Sequence, residues 1–105
     1  MDYISNKNVH VELKTLRHTT FEKYECIDLL SYHEYMIFKN ALNDNPNALC
    51  LMFVYFAENN KLYFCRITLD TDFEYGYNVY QKYCCSIKMD NFKEIHLETD
   101  FRLFL

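Results

Sequence analysis

Leu49-Cys50-Leu51-Met52-Phe53-Val54-Tyr55-Phe56-Ala57 is apolar at every position, and it is followed by Glu58-Asn59-Asn60 and then Lys61-Leu62-Tyr63-Phe64-Cys65-Arg66-Ile67-Thr68-Leu69. An unbroken apolar run rich in Phe, Val and Tyr suits a strand covered on both faces. The polar break after it has hairpin length. In the second run Tyr63, Cys65, Ile67 and Leu69 alternate with Arg66 and Thr68, the period of a strand, so the two runs are predicted to pair.

Upstream, Ser31-x-x-Glu34 is a capping box, in which the serine hydroxyl and the glutamate carboxylate each satisfy an orphan amide at a helix start. Leu30 and Tyr35 are spaced as a hydrophobic staple, and Tyr35, Phe38 and Leu42 form one apolar stripe. The spacing predicts a helix over about 32–43, stopped by Asp44-Asn45-Pro46-Asn47. Earlier still, Val9, Val11 and Leu13 alternate with His10, Glu12 and Lys14, as in a half-buried strand. Residues 21–28 read as a further strand after the polar break at 17–20.

Downstream, Asp70, Thr71, Asp72 and Glu74 make an acidic loop. From Tyr75 to Met89 the odd positions are apolar at all but Gln81, whereas the even positions are mostly polar, and the run reads as one long strand. Asp90-Asn91 then turns the chain, and Ile95 and Leu97 alternate with Glu94, His96 and Glu98. Short connections imply antiparallel neighbours. The expected fold is α+β: a mainly antiparallel β-sheet of about six strands packed on one principal helix, with 1–105 as a single domain. Two strands, a helix and three more strands make an outline that resembles sensor domains of the PAS type, a likeness of topology with no motif behind it.

The chain has 105 residues, net charge -4, one glycine and one proline. One glycine excludes the phosphate-binding glycine loops. Codons rich in A and T dominate through Phe, Tyr, Met, Ile, Asn and Lys, which suits an A+T-rich genome, as of low-G+C bacteria, some protists or some large DNA viruses. The N-terminal residues have neither the basic nor the apolar region of a secretory signal, and the apolar run from Ala48 to Ala57 is about half of what a membrane-spanning helix needs. Five cysteines without an even framework fit reduced thiols in the cytosol. An intracellular protein without a membrane span is expected.

No residues are assigned to catalysis, to a cofactor or to a metal. Cys84 and Cys85, adjacent on a strand, point to opposite faces, with Cys85 in the core. The histidines at 10, 18, 33 and 96 are too scattered for metal-ligand spacing. The one nucleophilic arrangement that can be drawn sets Cys84 between Lys82 and Lys88 with His96 on a neighbouring strand. Nucleic-acid binding is not expected, since there are three arginines and residues 41–80 carry two basic and five acidic groups; affinity for nucleic acid comes largely from neutralising phosphate.

Ten tyrosines and nine phenylalanines exceed what one helix and one sheet face easily cover, and tyrosine suits interfaces that are part apolar and part wet. The leading expectation is a small non-enzymatic protein-protein interaction module, self-associating as a homodimer, in the manner of a viral or phage accessory factor. Its interface residues are Tyr80, Phe101, Leu103 and Phe104, and its partner is another protein. The alternative is a small-ligand sensor or thiol-dependent enzyme with a pocket on the sheet.

Overall fold

The structure, a computed structural model, describes residues 3–6, 9–24, 30–78 and 80–96. The elements run β1 (Tyr3–Asn6), β2 (Val9–Leu16), a 3-10 turn (Phe21–Lys23), β3 (Leu30–Ser31), α1 (Tyr32–Asp44), β4 (Leu49–Phe56), β5 (Lys61–Ile67), β6 (Glu74–Tyr77), β7 (Tyr83–Ser86), a second 3-10 turn (Met89–Asn91) and β8 (Lys93–Ile95). One helix packs against two sheets of mostly antiparallel strands, an α+β fold. The larger sheet has the order β1-β2-β4-β5-β8 and the smaller β3-β7-β6.

Ser31 caps α1 as its spacing requires. The Glu34 amide donates to the Ser31 hydroxyl at 3.1 Å, and the Ser31 amide donates to the Glu34 carboxylate at 3.0 Å. At the other end the Asn45 amide bonds the Ala41 carbonyl and the Asn47 amide bonds the Asn45 side chain, so the chain leaves the helix through an Asx turn. Strands β4 and β5 pair antiparallel from Cys50↔Ile67 to Phe56↔Lys61. Their turn ends at Asn60, which adopts φ 55 and accepts a hydrogen bond from the Tyr55 hydroxyl. Phe38, Leu42, Cys50, Met52, Val54, Phe56, Tyr63, Cys65 and Ile67 form the core between α1 and one face of the large sheet.

Three readings of the sequence are corrected. The run from Tyr75 to Met89 is a hairpin, not one strand: β6 and β7 pair through Tyr77↔Tyr83 and Gly76↔Cys84. Between them the Asn78 side-chain oxygen accepts from the amides of Tyr80 and Lys82, and Gln81 adopts φ 63; both features bend the chain back. Phe21–Lys23 form a 3-10 turn, with Phe21 stacked on Tyr63 at 4.0 Å between ring centroids, whereas 25–28 lie outside the described residues. The large sheet is mainly antiparallel, as expected, with one parallel pair, β2 and β4, from Val9↔Leu49 to Leu16↔Phe56; the connection between them contains α1 and is long enough for a crossover. Finally, the strands divide between two sheets where one was expected.

The orientation of β2 has consequences. Its even residues face the core side, so Glu12 is 7% exposed, while Leu13 on the opposite face is 48% exposed. Among the described residues no helix is long and apolar enough to cross a membrane.

Candidate functional site: a tyrosine face beside a carboxylate cleft

Tyrosines gather where the small sheet meets the start of α1. On β6 and β7 they come from the alternation, because Tyr75, Tyr77 and Tyr83 share one face of the hairpin. On α1, Tyr32 and Tyr35 lie three residues apart and so share a helix face. The rings form a connected network. Tyr32 lies 5.4 Å from Tyr83 and 5.9 Å from Tyr35, Tyr77 lies 5.3 Å from Tyr83, Tyr35 meets Tyr75 edge-on at 5.8 Å, and Tyr75 lies parallel to Tyr83 at 6.4 Å. The Tyr75 hydroxyl donates to the Tyr35 hydroxyl at 3.1 Å; this bond, more than burial, raises the Tyr75 hydroxyl above its ordinary value. Tyr32, Tyr75, Tyr77 and Tyr83 are nevertheless exposed, Tyr77 at 68%.

Of the residues expected at an interface, Tyr80 lies in the β6–β7 turn next to this face and is 76% exposed. Phe101, Leu103 and Phe104 lie outside the described residues. The sequence did not single out Tyr32, Tyr75, Tyr77 and Tyr83 as a group. Their signal was present in the tyrosines of the odd-numbered positions, but it gathers only once the hairpin folds. Beside Tyr35 and Tyr75, a crevice of about 80 Å³ opens between Phe38, Leu42, Ile67 and Phe73. Lys39, Thr68 and Thr71 also line it, so its wall is mixed, and it is sized for a small side chain.

Cys84 and Cys85 do point to opposite faces, and both are buried. Cys85 lies on the face of the tyrosines, opposite Tyr75 in register, and burial first, then Cys84, pushes its thiol up to about 11. Burial likewise raises Cys50 and Cys65 to about 11. Thiols held protonated in this way are poor nucleophiles at neutral pH. The Cys84 thiol donates to the Gly76 carbonyl at 3.6 Å.

The nucleophilic arrangement drawn from the sequence is not assembled. His96 follows β8 in the large sheet and faces Glu94 at 3.5 Å, whereas Cys84 lies in the small sheet. Lys82 lines a cleft with Cys84, and Lys88 lines a different one. His10 has both ring nitrogens buried without a hydrogen-bond partner among the described residues. Among the described residues no group of three His, Cys, Asp or Glu is placed to hold a metal ion.

The cleft at Cys84 has a volume of about 380 Å³ and is lined by Glu12, Lys14, Ser31, Glu34, Asn78 and Lys82, among others. Glu12 reaches it from β2 and Glu34 from the first turn of α1. Burial pushes the Glu34 carboxyl up, but hydrogen bonds with Glu12 and with the backbone and side chain of Ser31 outweigh it and hold Glu34 below its ordinary value. Two carboxyls 22 positions apart could not be paired from sequence, because alternation does not say which face of β2 turns inward.

The acidic loop borders a wider cleft of about 760 Å³ that Asp70, Asp72, Glu74 and Asp90 share with Arg66, Lys88 and Lys93. Its backbone is ordered by Thr68 and Thr71, with the Thr68 amide donating to the Thr71 hydroxyl at 2.9 Å. Opposite charges interleave there, so the loop builds no field of one sign. No family model, no curated protein and no solved structure matches the chain.

Proposed function

We propose that the protein is a small non-enzymatic interaction module, self-associating as a homodimer through the tyrosine face. The carrying observation is the exposed ring network of Tyr32, Tyr75, Tyr77 and Tyr83. Tyrosine brings large contact area at low conformational cost and a polar tip that tolerates water. Strand β6 supports the reading, because it is the last strand of the small sheet and contains no proline. An unprotected edge offers unpaired amides and carbonyls to a second chain, and pairing of β6 with the β6 of a second copy about a twofold axis would be a closed assembly. The crevice beside Tyr35 and Tyr75 would anchor one small side chain from the partner, as interface centres commonly do. An intracellular setting and a viral or phage origin belong to the same reading.

Ring resonances report on this directly. In a dilution series from hundreds to a few micromolar, the aromatic signals of Tyr75, Tyr77, Tyr80 and Tyr83 are expected to shift together while those of Phe56 and Tyr63 stay fixed. Signals that are all independent of concentration would refute self-association.

A second reading rests on the cleft at Cys84, where a thiol, two carboxyls and Lys82 converge on about 380 Å³. This favours a small polar ligand or a thiol reaction. Rapid, selective alkylation of Cys84 at pH 7 in the folded protein would support it, and a rate matching that of Cys85 would remove it.

A further inference from the structure

Tyr77 and Tyr83 face each other across the β6–β7 hairpin. The Asn78 amide donates to the Lys82 carbonyl at 3.0 Å, so the ladder bond falls on the pair nearer the turn and skips the next, Tyr77 with Tyr83. In an antiparallel ladder the skipped pairs are those whose side chains stand closer. The two ring centroids lie 5.3 Å apart, the shortest separation between tyrosines among the described residues; Tyr83 also meets Tyr32 at 5.4 Å and Tyr75 at 6.4 Å.

Exposure separates these rings from the other oxidisable groups. The chain has no tryptophan. Among the described residues Cys50, Cys65, Cys84 and Cys85 are all buried, whereas Tyr77 is 68% and Tyr83 41% exposed. Met52 is buried, and Met36 and Met89 are half-buried. Thiol oxidation follows thiolate character and exposure, and burial above all holds Cys50, Cys65 and Cys85 protonated, at about 11. An oxidant arriving from solvent therefore meets phenols first. Of the three tyrosines against Tyr83, Tyr77 is the most exposed, and the shared ladder fixes its approach.

We propose that Tyr77 and Tyr83 form an oxidation site, at which a one-electron oxidant of the peroxidase class, supplied by hydrogen peroxide, joins the two rings within one chain as dityrosine. Each phenol gives up one electron and its hydroxyl proton. The two radicals pair in a carbon–carbon bond between positions ortho to the hydroxyls, and the hydrogens on the joined carbons pass to the oxygens as protons, restoring both phenols. The two electrons and two protons released reduce one peroxide to two waters. The bond closes the turn covalently and links the two strands that carry the exposed rings. This inference does not rest on the homodimer reading, because both rings belong to one chain.

Peptide mapping after oxidation tests it. The full chain at low micromolar concentration is treated with a haem peroxidase and hydrogen peroxide, the product that migrates as a monomer is isolated, and trypsin cleaves after Lys82, between the two rings. Dityrosine fluorescence is expected, with a chain two hydrogens lighter in which residues 67–82 and 83–88 stay joined through a side chain. Tyr77→Phe, which keeps the ring and removes the phenol, is expected to lose the joined peptides, and Tyr80→Phe to retain them. Joined peptides that persist in Tyr77→Phe would overturn the site, as would residues 24–39 joined to 83–88 through Tyr32. Coupling only between chains, or oxidised thiols without dityrosine, would equally overturn it. An equal yield in urea would show that sequence spacing, not the folded hairpin, brings the rings together, and would overturn it as well.

Discussion

Ser31 and Glu34 hold the start of α1 by two reciprocal bonds, and the two can be probed separately. Ser31→Ala is expected to cost about 1 kcal/mol by leaving the Glu34 amide without its cap, read as a lower urea midpoint at unchanged slope. Glu34 contributes to the acid limb. Its folded pKa lies below the ordinary value of 4.5, so its contribution is present above that pH and is lost as pH falls through the lower folded value. Glu34→Gln keeps a capping side chain but removes this titration, so the drop in Tm between pH 5 and pH 3 should become shallower. An unchanged drop would mean that other carboxyls carry the acid limb. On the alkaline side the sign reverses: Cys50, Cys65 and Cys85 are raised to about 11, so the unfolded chain loses thiol protons first. Stability should therefore decline as pH rises from about 9 to about 11. A Tm that is level between pH 8 and pH 10.5 would contradict the burial of these thiols.

At the scale of elements, the hairpin β6–β7 explains most of what the sequence hid. Tyr77 pairs with Tyr83, six positions apart, so the apolar alternation keeps its phase across the turn and looks like one strand. Only Asn78, by bonding two later amides, and Gln81, by its positive φ, reveal the bend. Helix α1 was legible because capping chemistry is local, and β4–β5 because a turn separates two complete apolar patterns. The parallel pairing of β2 with β4 was not, since it depends on a crossover through α1. Two substitutions in the hairpin follow from its geometry. Nothing lies within 4 Å of a Cβ placed on Gly76, so Gly76→Ala should stabilise by about 0.4–1 kcal/mol through the unfolded state. Gln81→Gly relieves the left-handed conformation and should at least be neutral in Tm, whereas Gln81→Val should lower it.

For the whole molecule, the distribution of tyrosine decides the functional account. Composition pointed to more aromatic surface than one core could absorb. It did not place that surface, because Tyr32 and Tyr83 meet only through the packing of α1 on the small sheet, and because Glu12 and Glu34 converge only once β2 turns its polar face inward. Sedimentation velocity at tens of micromolar tests most directly the proposal that the ring network and the β6 edge form a self-association surface. The full chain is expected to sediment as a dimer, and the double variant Tyr77→Ser with Tyr80→Ser, both highly exposed and so removable without loss of core, as a folded monomer. A monomeric full chain, or a dimer unaffected by both substitutions, would contradict it.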